Sequence, residues 1–398
     1  MVALAATLAI QVFTSLAATA PAVLAPELAQ TMGVAPQWIG LFVGIVYVGA
    51  MLASLASPGF IERYGAIRVS QFCVLLCAAG TILIGLLPAS FAGLLVAVAI
   101  MIGVGYGPIT PASSQILART TPPSQMGLMF SIKQTGVPAG AALAGALLPI
   151  AALTMGWRAA LVTVGLVGLG VVVAAQSTRR ALDSDRTPGQ AFSLPAILSR
   201  LKLVAKSPPL AELARLGFAY AAVQVCLSSY LVVFLHGALQ WSLVASGLAL
   251  TVSTIGGVIG RIVWGALTDR VLGPRRALSL IGLLAAICGI AMAFATPAWP
   301  TWIVLSVAAL FGGTAIGWNG VQLSELARQA PPGSAGAVTG AASFITFGGV
   351  VIGPPLFAAL TALTDGYRTG FLVMATVSLA AASVLHFRTP VGAIPVRQ

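Results

Sequence analysis

The sequence predicts an all-α membrane protein with twelve transmembrane helices in two pseudo-symmetric six-helix bundles. Its composition supports this, because 59% of the 398 residues are hydrophobic and only 7% are charged. Apolar runs of about 20 residues, each long enough to cross a bilayer core of roughly 30 Å, follow one another along the chain. An internal repeat divides these runs into two sets of six.

The repeat is visible in the short polar sequences between the apolar runs. Three of them recur in the same order: Glu62-Arg63 as Asp269-Arg270 after 207 residues, Arg119 with Pro122-Pro123 as Arg328 with Pro331-Pro332 after 209, and Gly156-Trp157-Arg158 as Gly366-Tyr367-Arg368 after 210. Repeats of this length are typical of membrane proteins built from two copies of one helical unit.

The elements follow in order from the apolar runs. We predict spans near residues 3–25, 38–58, 68–88, 91–117, 126–152, 157–177, 209–235, 243–267, 276–296, 300–324, 335–361 and 367–387. The first run lacks a basic n-region and a cleavage site, so we interpret it as a retained span. The predicted units are a first bundle at 1–177, a linker at 178–207 and a second bundle at 208–398. Within the linker, an amphipathic segment from Leu194 to Leu203 is expected to lie along the membrane surface.

The net charge of +12 is distributed unevenly between the two sides of the membrane. With a cytoplasmic N-terminus, one side receives Arg63, Arg68, Arg119, Arg179, Arg180, Arg186, Arg200, Lys202, Lys206, Arg270, Arg275, Arg276, Arg328, Arg388 and Arg397. Only Arg158 and Arg368 fall on the other side. This positive-inside bias predicts that both termini are cytoplasmic, in a bacterial inner membrane, and it argues against nucleic acid as a partner.

Several kinds of function are disfavoured. Cys73, Cys77, Cys226 and Cys288 all lie within predicted spans, where small buried apolar roles are expected. No GxxxxGK[ST] loop for ATP and no cluster of His, Asp and Glu at membrane depth is present in the sequence. We therefore expect a monomer that is not an enzyme, with no catalytic residues, no metal and no cofactor.

A polar loop between the eighth and ninth spans carries a recognisable motif. The stretch Gly265-Ala-Leu-Thr-Asp269-Arg270-Val-Leu-Gly273-Pro-Arg275-Arg276 resembles the GxLxDRxGRR loop of the major facilitator superfamily (MFS). The resemblance covers the whole chain and implies the MFS fold. It also implies that the acid of each copy meets a helix N-terminus and basic partners across the two halves, so that Glu62, Arg63, Asp269 and Arg270 form a conformational latch. The first copy departs from the motif at Pro58, Glu62 and Ala66.

Two cations lie inside predicted spans without an acid at the same depth. Lys133 is in the fifth span and Arg261 is in the eighth. A cation within a membrane costs roughly 2.5–3.5 kcal/mol on insertion scales. An anionic substrate would supply the missing charge, and the guanidinium of Arg261 can hold a carboxylate through two parallel hydrogen bonds.

The resemblance also places these cations. In the MFS architecture the fifth and eighth helices meet between the halves, so both cations would border one central cavity. An eighth-helix arginine followed four residues later by glycine, as in Arg261 and Gly265, is similar to the carboxylate-binding position of the monocarboxylate and oxalate/formate transporters. The alternative is that both cations snorkel to the interface, or that Arg261 pairs with Asp269.

Other polar and aromatic residues are candidates for the same cavity. They are Gln11, Tyr106, Gln224, Tyr230, Trp318 and Asn319, each of which could also serve only helix packing. Glu325 is the candidate for proton coupling, and its alternative role is pairing with Arg328 one turn on. The segment Gly136-Val-Pro138-Ala-Gly140 resembles the antiporter motif of drug exporters only loosely, and helix bending is the preferred explanation, so it does not indicate a drug exporter.

Together these features predict a secondary transporter of a small organic anion, a carboxylate in first place. It would work by alternating access, as a proton symporter or an anion exchanger. The alternatives are a proton-coupled exporter of drugs or other small molecules, and a membrane sensor that binds a ligand without transporting it.

Overall fold

A computed structural model of the chain describes residues 2–32, 38–86, 88, 94–187, 194–364 and 366–387. The described part contains eighteen α-helices. They are α1 (Val2–Val23), α2 (Ala25–Met32), α3 (Trp38–Tyr64), α4 (Ala66–Leu86), α5 (Leu94–Tyr106), α6 (Ile109–Thr120), α7 (Met126–Gln134), α8 (Gly136–Met155), α9 (Trp157–Gln176), α10 (Arg179–Leu182), α11 (Leu194–Lys206), α12 (Pro208–Gly237), α13 (Leu243–Leu267), α14 (Pro274–Ala293), α15 (Thr301–Ala315), α16 (Asn319–Gln329), α17 (Ala335–Leu363) and α18 (Tyr367–Phe387).

Twelve segments of the described chain are long and apolar enough to cross a membrane. The prediction of twelve spans in two bundles is therefore confirmed. The structure adds that three spans are each formed by two helices: the fourth by α5 and α6, the fifth by α7 and α8, and the tenth by α15 and α16. The apolar runs alone predict one helix for each of these spans.

The breaks in these spans follow from local sequence. At the first break, Gly107 and Pro108 separate α5 from α6, and a proline has no N–H to continue the helical ladder. The tenth span breaks at Ile316, Gly317 and Trp318, so that α6 and α16 start at corresponding places in the two repeats. Both breaks lie midway along their spans.

Each bundle is held together by close helix pairs. In the first bundle α1 packs on α8 and α4 packs on α9, and in the second α12 packs on α17 and α14 packs on α18. Small residues permit the closest approaches. At Gly260 of α13, for example, an added Cβ would overlap the carbonyl oxygen of Gly313 on α15.

Contacts between the two bundles concentrate at one end of the molecule. There α17 packs on α3 and α6, while α7 packs on α13 and α16. This end carries Arg63, Arg119, Arg270 and Arg328, and we call it the basic end. The bundles are thus closed against each other on the basic side of the central cavity.

The linker contributes α10 and α11, and the amphipathic segment predicted from Leu194 is helical up to Lys206. Its residues 188–193, together with Arg388 and Arg397 at the C-terminus, lie outside the described residues. The proposed unit boundaries at residues 177 and 207 stay a prediction, although α9 ends at Gln176 and α12 begins at Pro208.

Candidate functional site: a central cavity and an interbundle latch

A cavity of about 120 Å³ lies between the two bundles. Helices of both bundles line it, with α3 and α5–α8 on one side and α12, α13, α16 and α17 on the other. Five of the predicted substrate-binding residues are on its wall: Tyr106, Gln224, Arg261, Trp318 and Asn319. No Asp or Glu lines the cavity in the part of the chain that the structure describes.

Arg261 is the charged group of this cavity. Its side chain is 1% exposed. The Nε atom donates to the carbonyl oxygen of Ile316 at 3.0 Å, within its own bundle. The Nη1 atom donates to the carbonyl oxygen of Gln134, across the interface in the first bundle. Among the described residues no acceptor meets Nη2, so one edge of the guanidinium keeps donors for a ligand.

The two carbonyls that hold Arg261 are free because of the helix breaks. In an unbroken helix, the carbonyl of Gln134 would accept from the N–H four residues on, but that residue is Pro138. The carbonyl of Ile316 lies in the break between α15 and α16 and accepts from Arg261 instead. The broken helices thus supply the acceptors that fix a buried cation.

A polar part of the cavity wall centres on Gln224. Its Oε1 accepts from Trp318 Nε1 at 3.1 Å and from Asn319 Nδ2 at 3.5 Å. Both donors lie where α16 begins, and Thr110 lines the cavity where α6 begins. The N-terminal ends of α6 and α16, which carry partial positive charge, therefore lie at this cavity.

An aromatic cluster forms a third wall, consisting of Tyr47, Tyr106 and Phe347. The ring centroids of these residues are 6.0–6.4 Å apart. Tyr47 and Phe347 were not among the predicted site residues. A sequence signal for them was weak, because single aromatics are common in membrane helices and their meeting depends on how α3 and α17 pack.

Lys133 and Gln11 lie behind the cavity wall rather than on it. Lys133 is 1% exposed, and its Nζ donates to Gln11 Oε1 at 2.7 Å and to Gln134 Oε1 at 3.0 Å. Two amide oxygens thus accept from the ammonium at the place where the sequence predicts an anionic substrate. Gln134, which sequence analysis did not select, lines the cavity in front of Lys133.

This arrangement predicts a graded response to substitution of Lys133. We expect Lys133→Gln to remain folded and to lower anion affinity by about tenfold, equivalent to 1.4 kcal/mol, because the lost charge acts through Gln134 rather than by contact. Lys133→Arg should keep partial activity, at reduced thermal stability, because the larger head must fit a fully packed site. Ligand titration by thermal shift would measure both, and unchanged affinity in Lys133→Gln would exclude Lys133 from the site.

Tyr230 and Glu325 also lie away from the cavity wall. The Tyr230 hydroxyl donates to the carbonyl oxygen of Pro354 at 2.8 Å, and its ring stacks on Phe357 at 4.4 Å. It packs α12 against α17. Glu325 is 5% exposed and accepts from Gln329 Nε2 at 2.9 Å. Arg328, its expected alternative partner, is engaged elsewhere.

Asp269 joins the two bundles at the basic end. Its carboxylate accepts from the backbone N–H groups of Gly127 at 3.0 Å and Leu128 at 2.8 Å, where α7 begins. Arg328 of the second bundle pairs with the same carboxylate at 2.8 Å and also donates to the carbonyl oxygen of Pro123. The basic partner is thus Arg328 of the same bundle, and Arg270, the other latch candidate of this motif copy, is exposed.

The first repeat does not reproduce this arrangement. Glu62 pairs with Arg200 of α11 at 3.0 Å, and Arg63 stacks over the Tyr64 ring at 5.3 Å. The N-terminus of α17 is met by Gln115 instead, whose Oε1 accepts from the Gly336 N–H at 2.9 Å. The first motif copy departs from the consensus, and at the corresponding helix N-terminus a neutral amide replaces the carboxylate.

An acidic residue of the linker, Asp185, accepts a hydrogen bond from Gln115. Asp185 accepts from Gln115 Nε2 at 3.1 Å and pairs with Arg119 at 2.7 Å. Asp183 accepts from the backbone N–H groups of Ile67 and Arg68 at the start of α4. Burial raises the pKa of Asp183, and these backbone hydrogen bonds act in the opposite direction. The linker is thus tied to the first bundle.

Comparison with known proteins decides the family. The family model "Major Facilitator Superfamily" matches residues 7–354. The chain belongs to the major facilitator superfamily. The superfamily consists of membrane transporters, and the twelve apolar helices of the described chain identify it as an integral membrane protein.

Curated relatives of this MFS protein include bacterial transporters. A probable nitrate/nitrite transporter of Mycobacterium tuberculosis is 32% identical over 208 residues, which is 49% of this chain and 50% of the relative's length. A hexuronate transporter of Bacillus subtilis is 22% identical over 400 residues, covering 94% of this chain and 91% of the relative. The chain thus matches about half the length of the first relative and nearly all of the second.

Solved structures share the MFS fold. The E. coli fucose:proton symporter aligns over 98% of this chain and 99% of its own, with a TM-score of 0.78 and 17% identity. A human organic anion transporter aligns over 96% of this chain and 97% of its own, with a TM-score of 0.72 and 18% identity. At these identities the likeness shows the fold alone.

Proposed function

We propose that this MFS protein transports a small organic anion by alternating access between its two bundles. A carboxylate is the first candidate for this anion. The observation that carries the proposal is Arg261, a buried cation with free donors on a cavity whose described wall holds no acid. An uncompensated guanidinium is costly in a site of low dielectric, so an anion there gains from both charge and geometry.

The surroundings of Arg261 favour the same class of ligand. Gln224 and Asn319 offer hydrogen-bonding groups, while Tyr47, Tyr106 and Phe347 offer an apolar face. A carboxylate with a small apolar body matches this division better than a sugar does. The hexuronate transporter among the relatives also carries an organic acid by name.

The closed basic end suggests the orientation of the cavity. The positive-inside bias places this end in the cytoplasm, which makes the structure closed to the inside. Movement of the Asp269 contacts at α7 and of the Arg261 contact to Gln134 would then accompany opening to the cytoplasm. Glu325, within the second bundle and close to Arg328, is the residue we propose for proton coupling, if a proton is used.

A small inorganic oxyanion is the second candidate. Its support is the nitrate/nitrite relative, together with a cavity of about 120 Å³ that holds roughly four waters' share of liquid volume. Nitrate is planar and accepts parallel hydrogen bonds from a guanidinium as a carboxylate does. An organic anion would place its apolar body against the aromatic cluster, whereas nitrate has no apolar body to place there.

Counterflow in proteoliposomes tests the proposal. Purified protein is reconstituted with a preloaded labelled carboxylate, and external carboxylates, their amides and nitrate are compared. We expect external carboxylates to accelerate efflux and the matched amides to leave it unchanged, because an amide leaves Arg261 uncompensated. Acceleration by nitrate alone would select the inorganic candidate, whereas equal responses to acids and amides would contradict anion transport.

A further inference from the structure

A long groove runs along the outer surface of the first bundle, away from the central cavity. Its volume is about 1050 Å³, and it shares no lining residue with the cavity. Helices α3 and α4 form its two walls, and α5 and α9 contribute to its floor. Leu52, Phe60, Phe72 and Val173 line it and are 42–73% exposed. The groove therefore opens towards the lipid that surrounds the spans.

One end of this groove is polar and basic. Tyr64 at the end of α3 and Arg68 in the first turn of α4 line it there, at the basic end of the molecule. Arg68 is exposed, and no ion pair of its side chain occurs within the described residues. Arg63 lies over the Tyr64 ring at 5.3 Å and adds a second positive charge at the mouth.

A buried polar atom lies one turn deeper. Gln71 lines the groove and is 4% exposed. Its Nε2 donates to the carbonyl oxygen of Val172 at 2.9 Å and to Gln176 Oε1 at 3.0 Å, which fixes the orientation of the amide. Its Oε1 is buried and has no hydrogen-bond donor among the described residues. An unpaired buried acceptor of this kind is unfavourable, and a donor from an occupant of the groove would satisfy it.

We propose that this groove binds an anionic phospholipid whose head group carries hydroxyls, of the phosphatidylglycerol type. The phosphate pairs with Arg68 and Arg63, a head-group hydroxyl donates to Gln71 Oε1, and an acyl chain lies between α3 and α4. Since Arg68 and Gln71 are three residues apart on one helix, the charged and neutral contacts are separated by about 4.5 Å along the axis.

The position of the groove argues for a lipid as its occupant. It lies against two membrane-spanning segments, Leu41–Tyr64 and Ala66–Leu86, so the surrounding molecules are lipids rather than soluble ligands. The basic mouth favours an anionic head group over a zwitterionic one. The unpaired Oε1 needs a donor, which the alcohol hydroxyls of a phosphatidylglycerol head group provide. Phosphatidic acid and phosphatidylcholine have no alcohol hydroxyl in their head groups.

Lipid binding by the purified, delipidated full-length chain tests this assignment. Native mass spectrometry in detergent would compare phosphatidylglycerol, phosphatidic acid and phosphatidylcholine of the same acyl chains, with glycerol phosphate as the tail-free probe. We expect phosphatidylglycerol to bind best, phosphatidylcholine at least about fivefold more weakly, and glycerol phosphate to compete poorly. Equal binding of phosphatidylglycerol and phosphatidylcholine would overturn the proposal, and strong competition by glycerol phosphate would assign the mouth to a free phosphate ester.

Variants locate the lipid in this groove. Arg68→Gln should weaken phosphatidylglycerol binding about fivefold, whereas Arg276→Gln, the matched change at the start of α14 in the second repeat, should leave it unchanged. Gln71→Leu should remove the preference for phosphatidylglycerol over phosphatidic acid. Ala56→Phe, which adds bulk to the groove wall, should lower binding of every phospholipid tested. Wild-type binding in both Arg68→Gln and Ala56→Phe would place the lipid elsewhere.

Discussion

Replacing Arg261 by lysine is expected to reduce anion transport by at least about 100-fold, although the positive charge is kept. The guanidinium donates to the carbonyls of Ile316 and Gln134 while still presenting Nη2 to the cavity. A single ammonium cannot reproduce this divided geometry. Charge-assisted hydrogen bonds contribute about 1.5–3 kcal/mol each, so loss of one from the carbonyls and one from the ligand is sufficient for an effect of this size.

The initial rate of counterflow is measured for both proteins at equal amounts of reconstituted protein. Thermal stability serves as the check on folding. Arg270→Lys is the matched control, because Arg270 is an exposed arginine at the end of the same span and does not line the cavity. We expect it to transport like the original chain. Full counterflow by a folded Arg261→Lys variant would contradict the role of this guanidinium.

Replacing Asp269 by asparagine is expected to shift the protein towards a form open at the basic end. The carboxylate is 5% exposed and holds two backbone N–H groups and Arg328. The neutral amide keeps the size of the side chain but loses the charge-assisted contacts. The hydrogen bonds that cross the interface run from the backbone N–H groups of Gly127 and Leu128 to this carboxylate. Hydrogen bonds to a charged group contribute about 1.5–3 kcal/mol each, so the closed form should lose at least about tenfold in population.

Labelling of a cysteine introduced at Ser131 would report this shift. Ser131 is fully buried between the bundles, beside Gly265 and Gly320, and is shielded while the basic end is closed. We expect Asp269→Asn to speed its modification by a thiol reagent at least tenfold. The corresponding change in the other repeat, Glu62→Gln, should have little effect, since Glu62 pairs with Arg200 instead of a helix of the second bundle. Equal labelling rates with and without the Asp269→Asn change would exclude Asp269 as the latch.

The fold could be predicted from the sequence because membrane burial acts on each span separately. Length, hydropathy and the repeat give twelve helices and two bundles without knowledge of their contacts. The breaks at Gln134 and Ile316 were harder to predict. Glycine and proline occur throughout these spans, and only tertiary packing decides which of them interrupt the helical ladder.

The candidate site was predictable in part for a related reason. Arg261 stood out as a charge at membrane depth, and it lies on the cavity. Lys133 stood out for the same reason but is satisfied by Gln11 and Gln134, two amides whose contact with it depends on the rotation of α1 and α7. The sequence shows that a charged residue lies at membrane depth. Whether its side chain reaches the cavity depends on hydrogen-bond partners from other helices.

The proline at position 138 has a consequence for the energetics of the transport cycle. Because Pro138 has no N–H, the carbonyl of Gln134 can exchange partners, from Arg261 in the closed form to water when the bundles part, without any turn of helix unwinding. At this oxygen, opening then costs only the exchange of a guanidinium hydrogen bond for hydrogen bonds to water. An alanine at this position would offer that oxygen an internal donor in every conformation, weaken its hold on the guanidinium, and leave the resting equilibrium less biased towards closure.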